Sequence, residues 1–248
     1  MRILCLNANT TEYVTQTVAA AMRAALGDTA EVVEATARFG PAIIKTRLDN
    51  SVATHGIVDA AVSHHGVDAV MLAVSFDTAR DALREVLSVP VIGMSEASVA
   101  MARMRGARIG YVSLGSATVA LYRETLVHCA LDHDMAGWET VEAPSAYSPG
   151  DKSDVDAALG TACQRLAAQG ADVAILLGAV LAGAAERVQE DSPIPVIDGG
   201  AAGALMARAM VELAAPKQTV GSFSTASTSS MQGVSDALVA LSSPRTSD

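Results

Sequence analysis

Short apolar, β-rich runs alternate along most of the chain with stretches whose apolar residues recur about one helical turn apart. The runs Arg2 to Asn7, Glu31 to Ala35, Ala69 to Val74, Val91 to Gly93, Arg108 to Ser113, Glu139 to Ala143, Val173 to Leu177 and Val196 to Asp198 are predicted as strands. Between them, Val14, Val18 and Met22 place an apolar stripe on a helix over Thr11 to Leu26, and Thr118 to Leu131 carries another helical stretch. Asn9 is a candidate cap, with Glu12 three residues on as its partner. Strands alternating with helices imply an α/β fold.

The order of elements also repeats. "RILCLNANT" from Arg2 matches "RIGYVSLGS" from Arg108, "GVDAVMLAV" from Gly66 matches "GADVAILLG" from Gly170, and "PVIG" from Pro90 matches "PVID" from Pro195. Three landmarks in one register imply a duplication, hence two similar halves. Ligands of open parallel sheets bind outside the carboxyl ends of the strands, so the two sets of strand ends are expected to face one cleft. Its contributors would be Asn7, Asn9 and Thr10 after the first strand, and Val74, Ser75, Phe76, Asp77 and Thr78 after the third. The second half would supply Ser113, Gly115, Ser116, Gly178, Ala179 and Val180. Amides, hydroxyls and a helix start in the Asn/Thr turn suit a carboxylate or a polarised carbonyl, and the Ser/Gly turn offers the same from across the cleft. Asp77 and Thr78 are equally suited to capping the helix that begins near Ala79.

A chain of 248 residues, 50% of them hydrophobic, can bury a large core. A formal net charge of −10 without a Lys/Arg cluster argues against nucleic acid or an anionic membrane surface and favours a small-molecule ligand. No apolar run approaches the roughly 18 residues of a membrane span, and the four apolar residues after Arg2 are too few for a signal peptide, so a cytoplasmic location is expected. Cys5, Cys129 and Cys163 lack the spacing of a disulfide framework or a zinc site and read as reduced thiols. The five histidines fall in helix-like segments, and adjacent His64 and His65 would point in different directions, so no metal site is expected. There is no G-x-G-x-x-G, P-loop or G-x-S-x-G motif, which removes support for a dinucleotide site, a nucleotide phosphate site or a hydrolase elbow. Lys45 and Arg47 follow "GPAII" on a loop suited either to closing over an anion or to solvation, and Glu96 reads as a structural group at a helix start.

"LNANTT", "GPAII" at Gly40 to Ile44, "SFDTARDALRE" at Ser75 to Glu85, "PVIGMSEA" at Pro90 to Ala97 and "PVID" at Pro195 to Asp198 resemble the hydantoin and allantoin racemases of the aspartate/glutamate racemase superfamily. The resemblance covers about residues 1 to 215 and implies two pseudo-symmetric three-layer α/β domains with mostly parallel four-stranded sheets, the active site lying between them. The lobes would span 1–103 and 104–215, with 216–248 returning to the first; "SFSTASTSS" would form a polar connection to a short helix at Val234 to Leu241. The resemblance further implies a homo-oligomer and cofactor-free proton transfer beside a carbonyl, run by one cysteine from each half. Here Ser75 and Ala179 stand at those two positions. Two-base racemisation needs a titratable group on each face of the same carbon; an alanine cannot supply one and a serine does so poorly.

Arylmalonate decarboxylase, which this chain resembles in fold, implies an alternative in which hydroxyls and backbone N–H groups stabilise an enediolate. Ser75, Thr78, Asn9 and Ser113 would form that cradle, and Asp77, desolvated beside Phe76, would be the proton donor, with Tyr111 or Tyr122 behind it. Three readings follow. One is an isomerase or lyase acting on a small carboxylate or cyclic amide, including a racemase inactivated at its thiol positions. The others are a hydrolase using Ser75 with Asp77, and a non-catalytic binding protein on the same scaffold.

Overall fold

The computed structural model describes residues 1–224 and 229–241. The first sheet holds β1 (Arg2–Asn7), β2 (Glu31–Thr36), β3 (Ala69–Leu72) and β4 (Val91–Ile92) in the order β2-β1-β3-β4. The second holds β5 (Ile109–Leu114), β6 (Met135–Val141), β7 (Val173–Leu177) and β8 (Val196–Asp198) in the equivalent order β6-β5-β7-β8. Every pairing is parallel. Identical strand orders give the duplication its structural form: an α/β fold of two four-stranded sheets flanked by helices.

The helices are α1 (Glu12–Leu26), α2 (Arg47–Val62), α3 (Arg80–Val86), α4 (Met94–Arg103), α5 (Val119–His128), α6 (Ser153–Ala168), α7 (Ala184–Val188), α8 (Gly199–Leu213) and α9 (Asp236–Leu241). Successive strand side chains point to opposite faces, and helices cover both, so the central strands are almost continuously apolar. Leu4, Leu6, Val70 and Leu72 pack with Ala53 and Ile57 of α2, whereas Ile3, Cys5 and Met71 pack with Val18 and Met22 of α1. The first of these clusters runs on through Tyr111, Tyr122 and Val173 and so joins the two halves.

Helix α8 packs against the first half: Ala202, Ala204 and Ala207 belong to the cluster that holds Ile3 and Met71, and Gly203 lets α8 lie directly on Met71. The cause is the small-residue face of "GGAAGALMARAM", which fits against α1, α4 and β3 and begins where the Asp198 side chain accepts the N–H groups of Gly200 and Ala201 at 2.9 and 3.2 Å. Strand β6 starts at Met135 rather than Glu139, because its half-buried edge position leaves its outer residues without a strong apolar signal. Asn9 does not cap α1: the N-cap position is Thr11, and Asn9 Oδ1 accepts the Thr11 N–H at 3.0 Å, one step before the helix.

Beyond α8, Lys217 Nζ donates to the carbonyls of Arg84, Glu85 and Leu87 at the end of α3, and α9 packs against α2. The short terminal helix begins at Asp236 rather than Val234; of the polar connection before it, 225–228 lie outside the described residues. No helix among the described residues is long and apolar enough to cross a membrane.

Candidate active site

In each sheet the order in which strands are added switches side between the two central strands, and the loops leaving those strands meet across the molecule. Gly178 N–H donates to Ser75 Oγ at 3.0 Å, bringing the turn after β7 onto the turn after β3. The Ser75 hydroxyl in turn donates to Met94 Sδ at 3.1 Å, and the Tyr122 hydroxyl also hydrogen-bonds to the Ser75 side chain. Ser95 Oγ donates to the Ser75 carbonyl at 2.5 Å. Ser75 is thus a buried, fully engaged hydroxyl with a backbone donor aimed at its oxygen. Ala179 follows Gly178, whose φ of 147° favours glycine and turns the chain out of β7 toward Ser75.

Between these turns lies a cavity of about 40 Å³. The first half lines it with Asn9, Val74, Ser75 and Phe76, the second with Gly178, Ala179 and Val180, all anticipated from sequence. Val14, Ile43, Ile44, Thr118, Tyr122 and Tyr147 complete the lining. Of these only Tyr122 is named from the sequence for a chemical role; Val14 falls on the first helix's apolar stripe and Ile43 and Ile44 in the family-like "GPAII". Ile43 and Ile44 sit in an aperiodic loop, and Thr118 and Tyr147 reach the site through the turns that follow β5 and β6. Larger cavities lie elsewhere: one of about 530 Å³ at the outer edge of the first sheet, against α4, α8 and Phe223, one of about 330 Å³ behind Phe76, between α3 and α5, and one of about 100 Å³ between Tyr13 of α1, Lys152 and Arg187. None of these touches Ser75 or Ala179.

The remaining anticipated residues hold the site without lining it. Asn7 is fully buried and donates through Nδ2 to Asn9 Oδ1 at 3.0 Å and Thr15 Oγ1 at 3.0 Å, fixing the loop that presents Asn9. Thr10 N–H donates to the Pro41 carbonyl at 3.0 Å. Thr78 Oγ1 donates to Asn50 Oδ1 at 2.7 Å on the far side of the Ser75 turn. Ser113 Oγ accepts from Trp138 Nε1 at 3.0 Å inside the second sheet, and Ser116 N–H donates to Glu142 Oε1 at 3.1 Å toward solvent, leaving Gly115 with it outside the cavity. The cradle expected from Thr78 and Ser113 is therefore spent on internal hydrogen bonds.

Asp77 caps a helix, but not the one that follows it. Its Oδ1 and Oδ2 accept the N–H groups of Ser95 and Glu96 at 2.9 and 3.0 Å, so it caps α4 across β4. Gly93 leaves the room: a Cβ there would fall 2.4 Å from the carboxylate. Burial lifts the Asp77 pKa to about 6, against the pull of those two N–H donors and of Arg80. A carboxylate committed to two backbone donors is not free to orient a base, which removes the geometric support for the Ser75/Asp77 hydrolase. Asp77 and Ala79 both take positive φ, 48° and 61°, to make this turn. Aspartate tolerates that region, whereas alanine is strained by about 1 kcal/mol. Ala79→Gly is accordingly expected to raise the thermal midpoint by about 2–4 °C, read by calorimetry.

No cysteine enters the cavity. Cys5 and Cys163 are buried in the two cores, and desolvation pushes their pKa values up to about 12 and about 11. Cys129 lies behind Phe76 with Arg80 Nη1 at 3.0 Å, and burial raises its pKa too. Tyr111 donates to the Leu131 carbonyl at 3.1 Å, away from the cavity, while Tyr122 stacks on Phe76 with centroids 4.3 Å apart. Burial raises both tyrosine pKa values. Glu96 pairs with Arg84 at 2.5 Å and stays outside the site. Arg47, expected in a loop, is the first residue of α2. No group of three or more His, Cys, Asp or Glu side chains among the described residues is arranged to hold a metal ion.

The model of the Asp/Glu/Hydantoin racemase family matches residues 3–207. A hydantoin racemase from Pseudomonas sp. (strain NS671) is 27% identical over 216 residues, covering 86% of this chain and 87% of that protein. The structure of allantoin racemase from Klebsiella pneumoniae superposes with a TM-score of 0.88 at 26% identity, over 94% of this chain and 96% of that one. Allantoin racemase from Pseudomonas fluorescens gives 0.84 at 26% identity, over 94% and 100%.

Proposed function

The chain belongs to the Asp/Glu/hydantoin racemase family, and from that premise we propose a one-sided member: a cofactor-free isomerase or lyase that stabilises the enolate of a small carboxylate or cyclic amide and protonates it from the Ser75 face. The observation that carries this reading is the asymmetry of the cavity. One wall presents a hydroxyl whose oxygen receives the Gly178 N–H at 3.0 Å, and beside it the opposite wall presents the methyl of Ala179. A carbon held between positions 75 and 179 has a hydroxyl on the Ser75 side and only a methyl at position 179, with Thr118, Tyr122 and Tyr147 further around the lining.

That asymmetry favours the lyase direction. A malonate-type substrate breaks its bond to one carboxylate against the apolar wall of Val74, Phe76, Ala179 and Val180, and carbon dioxide leaves. The electron pair enters the remaining carboxylate as an enediolate, toward which Asn9 is the amide side chain in the lining. The Ser75 hydroxyl then gives up its bond to Met94 Sδ and passes its proton to the carbon, and water reprotonates the Ser75 oxygen, held meanwhile by Gly178 N–H. No base is required before the bond breaks, which is why a missing thiol does not forbid the step.

Incubation in heavy water with 5-substituted hydantoins and 2-substituted malonates tests this. The expected result is carbon dioxide and a singly deuterated acid of one configuration from a malonate, with no exchange at the hydantoin α-carbon. Hydantoin exchange without loss of carbon dioxide would overturn it. The same Ala179 methyl favours a second reading, a binding protein without turnover; saturable binding of either class by calorimetry, with neither product nor exchange, selects that one.

A further inference from the structure

A cavity of about 40 Å³ holds only a few waters, at about 10–15 Å³ each. A hydantoin or malonate therefore enters only if part of the wall moves. Most of that wall is strand end or helix, but Ile43 and Ile44 come from the irregular segment between β2 and α2. Ile44 is buried while Lys45, Thr46 and Arg47 after it are exposed, so the segment drops two apolar side chains into the site and keeps its charges in solvent.

Both of its ends are defined. At the near end Gly40 takes φ 124°, and Thr10 N–H and Thr11 Oγ1 donate to the Pro41 and Ala42 carbonyls at 3.0 and 2.7 Å. At the far end Thr46 caps α2 through a reciprocal pair of hydrogen bonds with Asp49. Lys45 of the segment and Arg47, the first residue of α2, each reach across to the other half. The Arg47 guanidinium grips the Glu124 carboxylate of α5 through Nε, at 2.9 Å to Oε2, and through Nη2, and Lys45 Nζ lies 6.0 Å from the centre of the Tyr147 ring. Tyr147 itself lines the cavity.

We propose that residues 41–47 are a strap that gates the cleft: Ile43 and Ile44 plug it and select an apolar substituent of limited size on the ligand, and the Arg47–Glu124 pair latches the strap to the opposite half. The selection rests on the function proposed above; the gating does not. An exposed ion pair is weakly held and yields to salt, so the latch sets how often the strap lifts, whereas the buried isoleucine sets how well it seals.

Ala179→Cys places a reporter thiol behind the strap, and its alkylation by iodoacetamide, followed on the peptide containing position 179, reads opening without any substrate. Ile44→Ala in that background is expected to speed alkylation by at least about tenfold, since truncating a buried aliphatic removes most of the seal. Arg47→Ala, or about 0.5 M NaCl, is expected to speed it about two- to fivefold, and the exchange Arg47→Glu with Glu124→Arg to restore the slow rate. Rates at position 179 that none of these changes moves would overturn the strap, whatever the protein turns over. For selection, the ratio of 5-benzylhydantoin to 5-methylhydantoin affinity, by calorimetry, is expected to rise about tenfold in Ile43→Ala; an unchanged ratio would overturn that role. If alkylation responds while no hydantoin or malonate binds, the strap stands and the proposed function fails.

Discussion

Cysteine at both 75 and 179 is expected to give this protein α-proton exchange on 5-substituted hydantoins at least about a hundredfold above the wild-type rate, with racemic product. Thiolate chemistry needs an anion-holding donor at each sulfur and a pKa near neutrality. Position 75 already has the first: Gly178 N–H points at the Ser75 oxygen from 3.0 Å, and the Tyr122 hydroxyl touches the same side chain. Position 179 opens a short helical turn, Ala179–Leu181, one residue after that donor. Loss of one aligned donor in such a site costs about 10²–10³ in rate, so a scaffold that keeps the donors and lacks only the sulfurs should respond steeply to their return. Neither Ser75→Cys nor Ala179→Cys alone supplies both faces, and each should exchange far more slowly than the pair. Deuterium incorporation by NMR decides it. A double variant no faster than the better single one would mean that the two turns do not address one carbon.

Removing the Asp77 carboxylate is expected to cost about 2–4 kcal/mol, because Asp77→Ala strands two buried N–H donors at the start of α4 at about 1–3 kcal/mol each. For a chain of this size that is a drop of about 5–15 °C in thermal midpoint. The pH dependence has the opposite sense to that of most carboxylates. Burial lifts the folded pKa from 3.8 to about 6, so the native state holds this proton more tightly than the unfolded chain does. The contribution is fully present below about pH 3.8 and is lost as pH rises through about 6. Against Asp77→Asn, which does not titrate there, the wild type should be more stable at pH 4 than at pH 7 by about 2–3 kcal/mol, measured by urea unfolding. A gap that stays level, or that grows toward neutrality, would mean that the two N–H bonds outweigh desolvation.

The strands, the duplication and the facing turns were legible because they are local: burial of both sheet faces leaves continuous apolar runs, and two copies of one pattern leave matching landmarks. Ser75, Gly178 and Ala179 could be nominated on that basis alone. The partner of Asp77 could not, because the helix it caps begins on the far side of another strand and "SFDTAR" offers a nearer helix start. Ser113 was a sound choice by position, yet it lies within β5, where its oxygen serves Trp138. Ile43 and Ile44 stood out only inside the family-like "GPAII", which did not place them in the cleft, since a segment with neither helical nor strand period says nothing of what it covers. The reach of α8 was hidden for a related reason: small residues mark a close-packed helix without saying which sheet it packs on.

That reach of α8 has a consequence for dissecting the molecule. The natural seam between the copies, near residue 105, does not separate two self-sufficient pieces, since the earlier copy finishes its interior with a helix encoded almost a hundred residues later. Cut at that seam, the front fragment would expose Ile3 and Met71 and be prone to clump when made alone. It should become tractable when produced together with the back fragment or supplied with Gly199–Leu213 in trans.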